Sequence, residues 1–311
     1  MKTLSRDVQD LVILCNSIGK HIPLWVQGAG GNVSVKLGGQ LWVKASGVRL
    51  SDVSETTGLA QIELDRFFQK FAQASSEAEY AQLLGDPEVA SSSFGRPSME
   101  AAFHALLPRK WVMHFHPVSA LPLAHSRITE KKSLTWNEDG VLCSVIRWVK
   151  PGLELAQLCA KNSESSVLFL ESHGVILQGD DLGILEWWKK FESAYIRREF
   201  PEWIEKLKKI HSLESCLSEL GVDHEGPLNL YFPDTAVFLD RLMKFLVPVA
   251  GDSQSWRMPL PLLPRDRDLA EIWGATQILQ RMAPELPQIP EADAEAVSGL
   301  PTEAFRKQMA R

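Results

Sequence analysis

The stretch Trp111-Val112-Met113-His114-Phe115-His116-Pro117 decides the fold of this chain. Its apolar residues predict a short buried strand, which the proline ends. Successive side chains of a strand point to opposite faces, so His114 and His116 lie on the same face. The pair is compatible with a metal site, but two packed core histidines are an equally simple explanation for the pair taken alone.

A third histidine and an acidic residue extend this pattern. A second apolar run ends in His173-Gly174, and Glu100 lies upstream on a predicted helix. Taken singly, His173 reads as a core residue and Glu100 as a carboxylate that favours a helix start. Three imidazoles at buried strand positions are costly without partners, which favours a metal site. Three ligands leave one coordination position open for substrate, with Glu100 as the base.

Composition limits the classes of function. The chain has 311 residues, enough for one large domain or a domain with an appendage, and its formal charge of −6 argues against nucleic-acid binding. The four cysteines have neither metal-binding spacing nor the density of a disulfide framework. The first residues, Met1 to Asp7, lack the apolar central stretch of a signal peptide, and no apolar run approaches the length of a membrane span. We expect a cytoplasmic protein with reduced thiols and no membrane partner.

Hydrophobic periodicity predicts a mixed sheet with helices packed on it. The predicted strands are 32–37, 40–45, 111–115, 141–149, 166–171, 174–178 and 236–239. The first predicted helix ends near Gly19, and two short helical stretches lie within 61–84. A helix with its N-cap at Ser98 runs to Leu107, a short one covers 118–124, and another begins at Pro151. A long helical stretch extends from about 181 to Pro201, and a last helix includes Leu269 to Met282. We expect one domain over residues 1–215 and an extension over 216–311, of unknown role and without chemistry of its own, packed on that domain.

A glycine-rich loop, Gly28-Ala29-Gly30-Gly31-Asn32, precedes the predicted hairpin. It lacks the dinucleotide fingerprint, because Val33 stands where a third glycine is needed and a strand follows instead of a helix. The loop is therefore either a plain tight turn, the simpler interpretation, or a nest of backbone N–H groups that binds a small anion. Ser46-Gly47 would add a hydroxyl and an amide to such a nest.

Five motifs in this order resemble the class II aldolase/adducin family, typified by fuculose-phosphate and rhamnulose-phosphate aldolases. They are Gly30-Gly31-Asn32-x-Ser34, Lys44-Ala45-Ser46-Gly47, Pro97-Ser98-Met99-Glu100, His114-Phe115-His116-Pro117 and His173-Gly174. The resemblance covers about residues 5 to 215. Val149-Lys150-Pro151-Gly152 and, more weakly, the segment 303–307 resemble the aldolase-like half of predicted bifunctional rhamnulose-phosphate aldolase/alcohol dehydrogenases. No glycine fingerprint of a dehydrogenase follows residue 214.

The resemblance implies a three-layer α/β/α fold with a central mixed, largely antiparallel sheet, commonly assembled as a homotetramer. It implies that His114, His116 and His173 ligate zinc or another divalent metal and that Glu100 is the acid/base. The residues that it implies for binding the substrate phosphate are Asn32, Ser46, Gly47 and Ser98. The implied reaction is retro-aldol cleavage of a small sugar or sugar phosphate, with the metal stabilising the enediolate.

Two departures from the family pattern leave the substrate open. Met99 stands where the sugar-phosphate aldolases often have a second serine, although Lys44 offers a nearby positive charge. The family's proton-donating tyrosine has no counterpart between His116 and His173. A pentose-phosphate 4-epimerase or a sugar-phosphate dehydratase on the same scaffold is therefore an alternative. A non-catalytic adducin-like interaction module is a second alternative, which the intact histidines disfavour.

Overall fold

The computed structural model describes residues 5–91, 95–224, 228–249, 255–301, 303 and 307. The predicted loop over 91–97 and the motif over 303–307 lie partly outside these residues. In the described ranges, no helix combines the length and the apolar character that a membrane crossing requires.

A nine-stranded mixed sheet forms the centre of the molecule, in the order β4-β3-β2-β1-β5-β9-β8-β7-β6. The strands are β1 (Asn32–Leu37), β2 (Gln40–Lys44), β3 (Leu59–Glu63), β4 (Ala90–Ser91), β5 (Trp111–Phe115), β6 (Thr135–Glu138), β7 (Val141–Ile146), β8 (Val167–Leu170) and β9 (Gly174–Gly179). Strands β7 and β8 pair in parallel, and the other described pairs of this sheet are antiparallel. The predicted mixed, largely antiparallel sheet is thus confirmed.

The hairpin that joins β1 to β2 turns on two glycines. Gly38 and Gly39 have φ angles of +57° and +79°, the left-handed conformation that a two-residue type I′ hairpin requires at both positions. This turn sets the register of β1 against β2, and β1 in turn pairs with β5. Strands β1, β5 and β9 therefore lie side by side in the middle of the sheet.

Helices cover both faces of the sheet. They are α1 (Arg6–Gly19), α2 (Leu64–Phe71), α3 (Glu77–Leu84), α4 (Ala101–Leu106), α5 (Ala120–Thr129), α6 (Leu153–Lys161), α7 (Gly183–Glu199), α8 (Ile204–Lys209), α9 (Leu213–Leu220), α10 (Pro233–Val237), α11 (Leu239–Phe245), α12 (Arg267–Met282) and α13 (Glu291–Ser298). A small second sheet joins β10 (Asp223–His224), β11 (Val247–Pro248) and β12 (Trp256–Arg257).

Alternate side chains of β5 enter two different cores, which establishes the three-layer arrangement. Met113 and Phe115 pack in one core with side chains of α1, α5 and α7. Val112, on the opposite face, packs in the other core with side chains of α4 and α6. Because a strand alternates its side chains between faces, the sheet separates two apolar layers, each covered by helices. The α/β/α fold class is confirmed.

The helix that carries Glu100 begins later than predicted. Helix α4 starts at Ala101, and Glu100 rather than Ser98 occupies the N-cap position. Ser98 Oγ accepts a hydrogen bond from Glu100 N at 3.0 Å, and Ala101 N donates to Ser98 O at 3.0 Å, so these residues form a turn before the helix. The hydroxyl of Tyr80 stabilises this turn, since it donates to Met99 O and accepts from Ala102 N.

Two other predicted elements differ in type. The predicted strand at 236–239 is wrong, because these residues fall in the helical stretches α10 and α11. Pro233 stands at the first position of α10, where its fixed φ favours a helix, and a short apolar run does not by itself distinguish strand from helix. Residues Leu59–Glu63, placed partly in a helical region by the sequence, form strand β3 between β2 and β4.

The C-terminal segment packs on the glycine-rich loop through a buried ion pair. Glu271 of α12 is fully buried, and its two carboxylate oxygens lie 2.5 and 2.7 Å from Arg49 Nη2. One of these oxygens also accepts a hydrogen bond from Gly28 N at 2.8 Å. Removing one partner of such a pair leaves an uncompensated charge in the interior, so this contact holds α12 against the loop.

Helix α7 carries a second buried carboxyl group, that of Glu192. Its oxygens accept hydrogen bonds from Trp25 Nε1, at 2.7 Å, and from the hydroxyl of Ser119. Burial raises the pKa of Glu192 from its ordinary value of 4.5 to about 7, and the two hydrogen bonds oppose that rise. The folded protein therefore binds this proton more tightly than the unfolded chain does.

The raised pKa of Glu192 makes the folded protein less stable as the pH rises. A carboxyl group whose pKa is raised on folding contributes most below its unfolded pKa, and its contribution is lost as the pH rises towards the folded value. We expect Glu192→Gln to gain stability relative to the natural chain, by up to about 3 kcal/mol, as the pH rises from about 4.5 to 8. Urea unfolding of metal-free protein measures the difference. Glu186→Gln, an exposed change on the same helix, is the control, and equal pH dependence of both variants would contradict the expectation.

Candidate active site

Three neighbouring strands bring the polar side chains of the site together. In the paired registers, Asn32 of β1 lies opposite His114 of β5, and His173 directly precedes β9. Gly174 is required by close packing at this point, because a Cβ there would collide with Phe115 O. The glycine after His173 thus allows β9 to lie close against β5, with His173 directed to the same place as His114.

The three histidines and Glu100 form a compact group of potential metal ligands. The Nε2 atoms of His114 and His116 are 3.1 Å apart, and Glu100 Oε1 lies 3.1 Å from His173 Nε2 and 3.3 Å from His114 Nε2. The four ligand atoms all lie within 4.8 Å of one another. Two zinc–nitrogen bonds of about 2.0–2.1 Å at a tetrahedral angle place their nitrogens roughly 3.3 Å apart. Three imidazoles and one carboxylate at these spacings fit a divalent metal ion.

Each imidazole has a defined environment for the ring nitrogen that faces away from the group. His114 Nδ1 lies 3.0 Å from Val175 O, an acceptor, so its hydrogen is on Nδ1 and its Nε2 lone pair points into the group. His116 Nδ1 faces Asp234 Oδ2 at 3.6 Å. His173 Nδ1 has no hydrogen-bond partner among the described residues.

Burial favours the neutral form of His116 and His173, which is the form that binds a metal. It lowers the pKa of His173 to about 4, although the hydrogen bond to Glu100 works in the opposite direction. Burial also lowers the pKa of His116, against the opposing effect of Asp234. Because metal ions displace protons from their ligands, neutral imidazoles bind without that cost.

Glu100 is held as a carboxylate at both of its oxygens. Oε1 faces the imidazoles, and Oε2 accepts a hydrogen bond from Asn32 Nδ2 at 2.5 Å. Burial acts to raise the pKa of Glu100, but the neighbouring His114 and His173 outweigh it and hold that pKa well below its usual range. Asn32, predicted to bind substrate, is therefore the partner that orients Glu100.

A cavity of about 40 Å³ adjoins this group, and all four predicted substrate-binding residues line it: Asn32, Ser46, Gly47 and Ser98. Some of their donors are already engaged, since Ser46 N donates to Arg96 O at 2.9 Å. Lys44 lines the same cavity, and its buried Nζ donates to Ala29 O at 2.6 Å and to Val48 O at 2.8 Å. Its positive charge is thus held within the cavity wall.

The C-terminal segment contributes residues that sequence reasoning missed. Pro233, Asp234, Val297 and Glu303 all line the cavity. Asp234 stands in an apolar, proline-containing stretch that has no recognisable motif, so no local signal indicated its place beside His116. None of the tyrosines, all of which lie in described ranges, lines this cavity: Tyr80 stabilises the turn before α4, and Tyr195 and Tyr231 are buried in the core.

Comparison with curated proteins identifies relatives in two functional classes. The chain is 27% identical over 216 residues to the L-fuculose phosphate aldolase of Methanocaldococcus jannaschii, which covers 67% of this chain and 98% of that protein. It is 28% identical over 192 residues to the uncharacterized oxidoreductase YuxG of Bacillus subtilis, which covers 57% of this chain. The match to YuxG spans only 27% of the length of that protein.

A solved structure and a family of known proteins are also similar to this chain. The N-terminal class II aldolase domain of a conserved protein from Thermoplasma acidophilum matches with a TM-score of 0.49 and 23% identity, over 61% of this chain and 96% of that one. Residues 9–185, more than half of the chain, match the family described as the Class II Aldolase and Adducin N-terminal domain. The chain therefore belongs to the class II aldolase and adducin family.

Proposed function

We propose that this protein is a zinc-dependent aldehyde-lyase that cleaves a carbon–carbon bond of a small sugar or sugar phosphate by retro-aldol chemistry. The observation that carries the proposal is the convergence of three buried imidazoles with an oriented carboxylate beside a cavity. Membership of the family and the similarity to an L-fuculose phosphate aldolase support the reaction class and the substrate class. The proposal includes a homotetrameric assembly, as the family resemblance implies.

The three imidazoles would hold the ion through their Nε2 atoms. A divalent ion bound there would polarise the substrate carbonyl and offset the negative charge that develops as the carbon–carbon bond breaks. The chain contributes orientation, since the hydrogen bond from His114 Nδ1 to Val175 O fixes the ring that lies at the middle of the group. It also excludes bulk water, because His114, His116 and His173 are each at most 2% exposed.

Glu100 would move the proton at the carbon next to the carbonyl. In the bond-forming direction the carboxylate removes a proton from that carbon, and in the cleavage direction Glu100 would first take up a proton and then deliver it to the carbon released by bond breakage. The hydrogen bond from Asn32 Nδ2 holds Oε2, Oε1 faces His114 and His173, and the Glu100 side chain lines the cavity. A second group must accept the hydroxyl proton of the substrate, and Glu303 is a carboxyl group that the C-terminal segment brings to the cavity.

The cavity residues proposed to bind the substrate are compatible with either a phosphorylated or an uncharged sugar. The hydroxyls of Ser46 and Ser98 and the region of Gly47 would bind the non-reacting end of the substrate. Met99 removes one hydroxyl from the presumed phosphate pocket, and Asn32 is engaged with Glu100. A preference for the uncharged sugar would follow from this loss of donors, and a preference for the phosphate would follow from the charge of Lys44.

The test is release of an aldehyde from the full chain supplied with Zn²⁺. Short ketoses and their 1-phosphates are each incubated with the protein, and the aldehyde is measured by its NADH-dependent reduction with an added alcohol dehydrogenase. We expect release from at least one of them, its loss on treatment with a chelator and its recovery on adding Zn²⁺. Conversion of a pentose phosphate without aldehyde would indicate an epimerase or a dehydratase instead. Absence of Zn²⁺ binding would contradict the enzymatic proposal.

A further inference from the structure

Asp234 brings a carboxylate from the C-terminal segment to one of the histidines. Its Oδ2 lies 3.6 Å from His116 Nδ1, and each of the two side chains is 3% exposed. The other nitrogen of the same ring, Nε2, lies 3.1 Å from His114 Nε2 within the group of potential ligands. His116 therefore lies between the ligand group on one side and a buried carboxylate on the other.

The glycine-rich loop is shaped to leave room for this contact. A Cβ on Gly30 would lie 2.8 Å from Asp234 Oδ2 and 3.2 Å from His116 Cε1. Gly30 does not have the positive φ of its neighbours Gly28 and Gly31, so backbone conformation is not what requires a glycine there. The same Cβ would lie 2.9 Å from Gln27 O, so the backbone of the loop, the carboxylate and the ring together leave no room for a side chain at this position.

We infer that Asp234 is a positioning residue for the metal centre, with its carboxylate accepting the Nδ1 hydrogen of His116 and so directing the Nε2 lone pair towards the ion. The inference rests on the proposed function, because it assumes that His116 is a ligand. A carboxylate behind a histidine ligand fixes its tautomer and ring orientation and increases its basicity. His116 Nδ1 and Asp234 Oδ2 are 3.6 Å apart, which is beyond hydrogen-bond distance. The carboxylate would have to lie roughly 0.6 Å closer to the ring to form this hydrogen bond.

Through Asp234, the C-terminal segment contacts a potential metal ligand that follows a strand of the central sheet. His114 has a backbone carbonyl, Val175 O, behind its Nδ1, whereas His116 has a side chain from the distant helix α10. The buried pair between Glu271 and Arg49 holds the same segment against the glycine-rich loop. Loss of the carboxylate therefore affects one ligand and leaves the other two imidazoles in place.

The experiment measures metal binding by the full chain and does not depend on turnover. Zn²⁺ affinity is determined by competition with a chelating dye, and Co²⁺ is added separately because its visible absorption reports ligand geometry. We expect Asp234→Ala to bind Zn²⁺ about 10- to 100-fold more weakly and to change the Co²⁺ spectrum. Asp234→Asn keeps an oxygen acceptor without the charge, and we expect a smaller loss of affinity. Asp240→Ala removes an exposed acid of the same segment and should leave both readouts unchanged.

The outcomes separate this inference from the proposed function. Zn²⁺ affinity of Asp234→Ala within twofold of the natural chain, with the same Co²⁺ spectrum, would overturn the positioning role. If Asp234→Ala does not fold, an unchanged affinity and spectrum of Asp234→Asn would overturn it as well. A natural chain that binds Zn²⁺ but releases no aldehyde would refute the lyase while the loss of affinity in the variants still supports Asp234.

Discussion

The variant His173→Ala is expected to lose Zn²⁺ binding and aldehyde release together. The apparent binding free energy of a four-ligand zinc site is about 10–16 kcal/mol, so one ligand of four accounts for roughly 3–4 kcal/mol, or 10²- to 10³-fold in affinity. His173 is the cleanest of the three ligands to remove, because its Nδ1 has no hydrogen-bond partner in the described part of the chain. Its substitution therefore removes Nε2 and its contact with Glu100 Oε1, which His114 Nε2 still faces at 3.3 Å, and leaves no partner of Nδ1 unpaired.

Thermal unfolding with and without Zn²⁺ separates lost binding from lost folding. A ligand at 100 times its Kd stabilises a folded protein by about 2.7 kcal/mol, so the natural chain should unfold at a higher temperature when Zn²⁺ is added. The unfolding temperature of His173→Ala should be the same with and without Zn²⁺. His211→Ala, which removes an exposed histidine, should behave like the natural chain. A Zn²⁺-dependent rise in the unfolding temperature of His173→Ala, equal to that of the natural chain, would contradict its role as a ligand.

Glu100→Gln is expected to separate chemistry from metal binding. A positioned general acid or base typically contributes 10²- to 10⁴-fold to a rate, and the amide of glutamine cannot exchange a proton in this way. We expect aldehyde release to fall by that factor. The three imidazoles remain, so the loss of Zn²⁺ affinity should be far smaller than in His173→Ala. Steady-state kinetics on Zn²⁺-saturated protein, together with dye competition, give both quantities.

An exposed change of the same kind is the control for this substitution. Glu88→Gln removes the same charge from the surface, where the side chain is 67% exposed, and should leave kcat and KM unchanged. A Glu100→Gln variant that retains aldehyde release within threefold of the natural chain would exclude Glu100 as the acid/base. A loss of Zn²⁺ binding as large as that of His173→Ala would instead make Glu100 chiefly a ligand.

Local sequence pattern was sufficient for the features that depend on strand periodicity and turn chemistry. The apolar run around His114 and His116 predicted strand β5 with both imidazoles on one face, because side chains alternate along a strand. Gly38-Gly39 predicted the hairpin for the same local reason, and both residues have positive φ. The order of the motifs indicated the family, which the match over residues 9–185 confirms.

Tertiary contacts decided the features that involve residues distant in sequence. The expectation that Asn32 binds substrate stays a prediction, and the register of β1 on β5 also brings its amide to Glu100, which no local pattern indicated. The short run at 236–239 looked like a strand, yet it lies in helical stretches. Asp234 had no local signal at all, because its significance comes only from where α10 packs.

The sequence by itself determined that His114 and His116 share a face of a buried strand, since that relation depends only on the two-residue period of the backbone. Only the tertiary structure decided which other groups meet them. Strand pairing brings in His173, a turn held by Tyr80 presents Glu100, and packing of the C-terminal segment supplies Asp234. Periodicity fixes the direction of a side chain within its own element, whereas the contacts of that side chain depend on burial and hydrogen bonding between elements far apart in the chain.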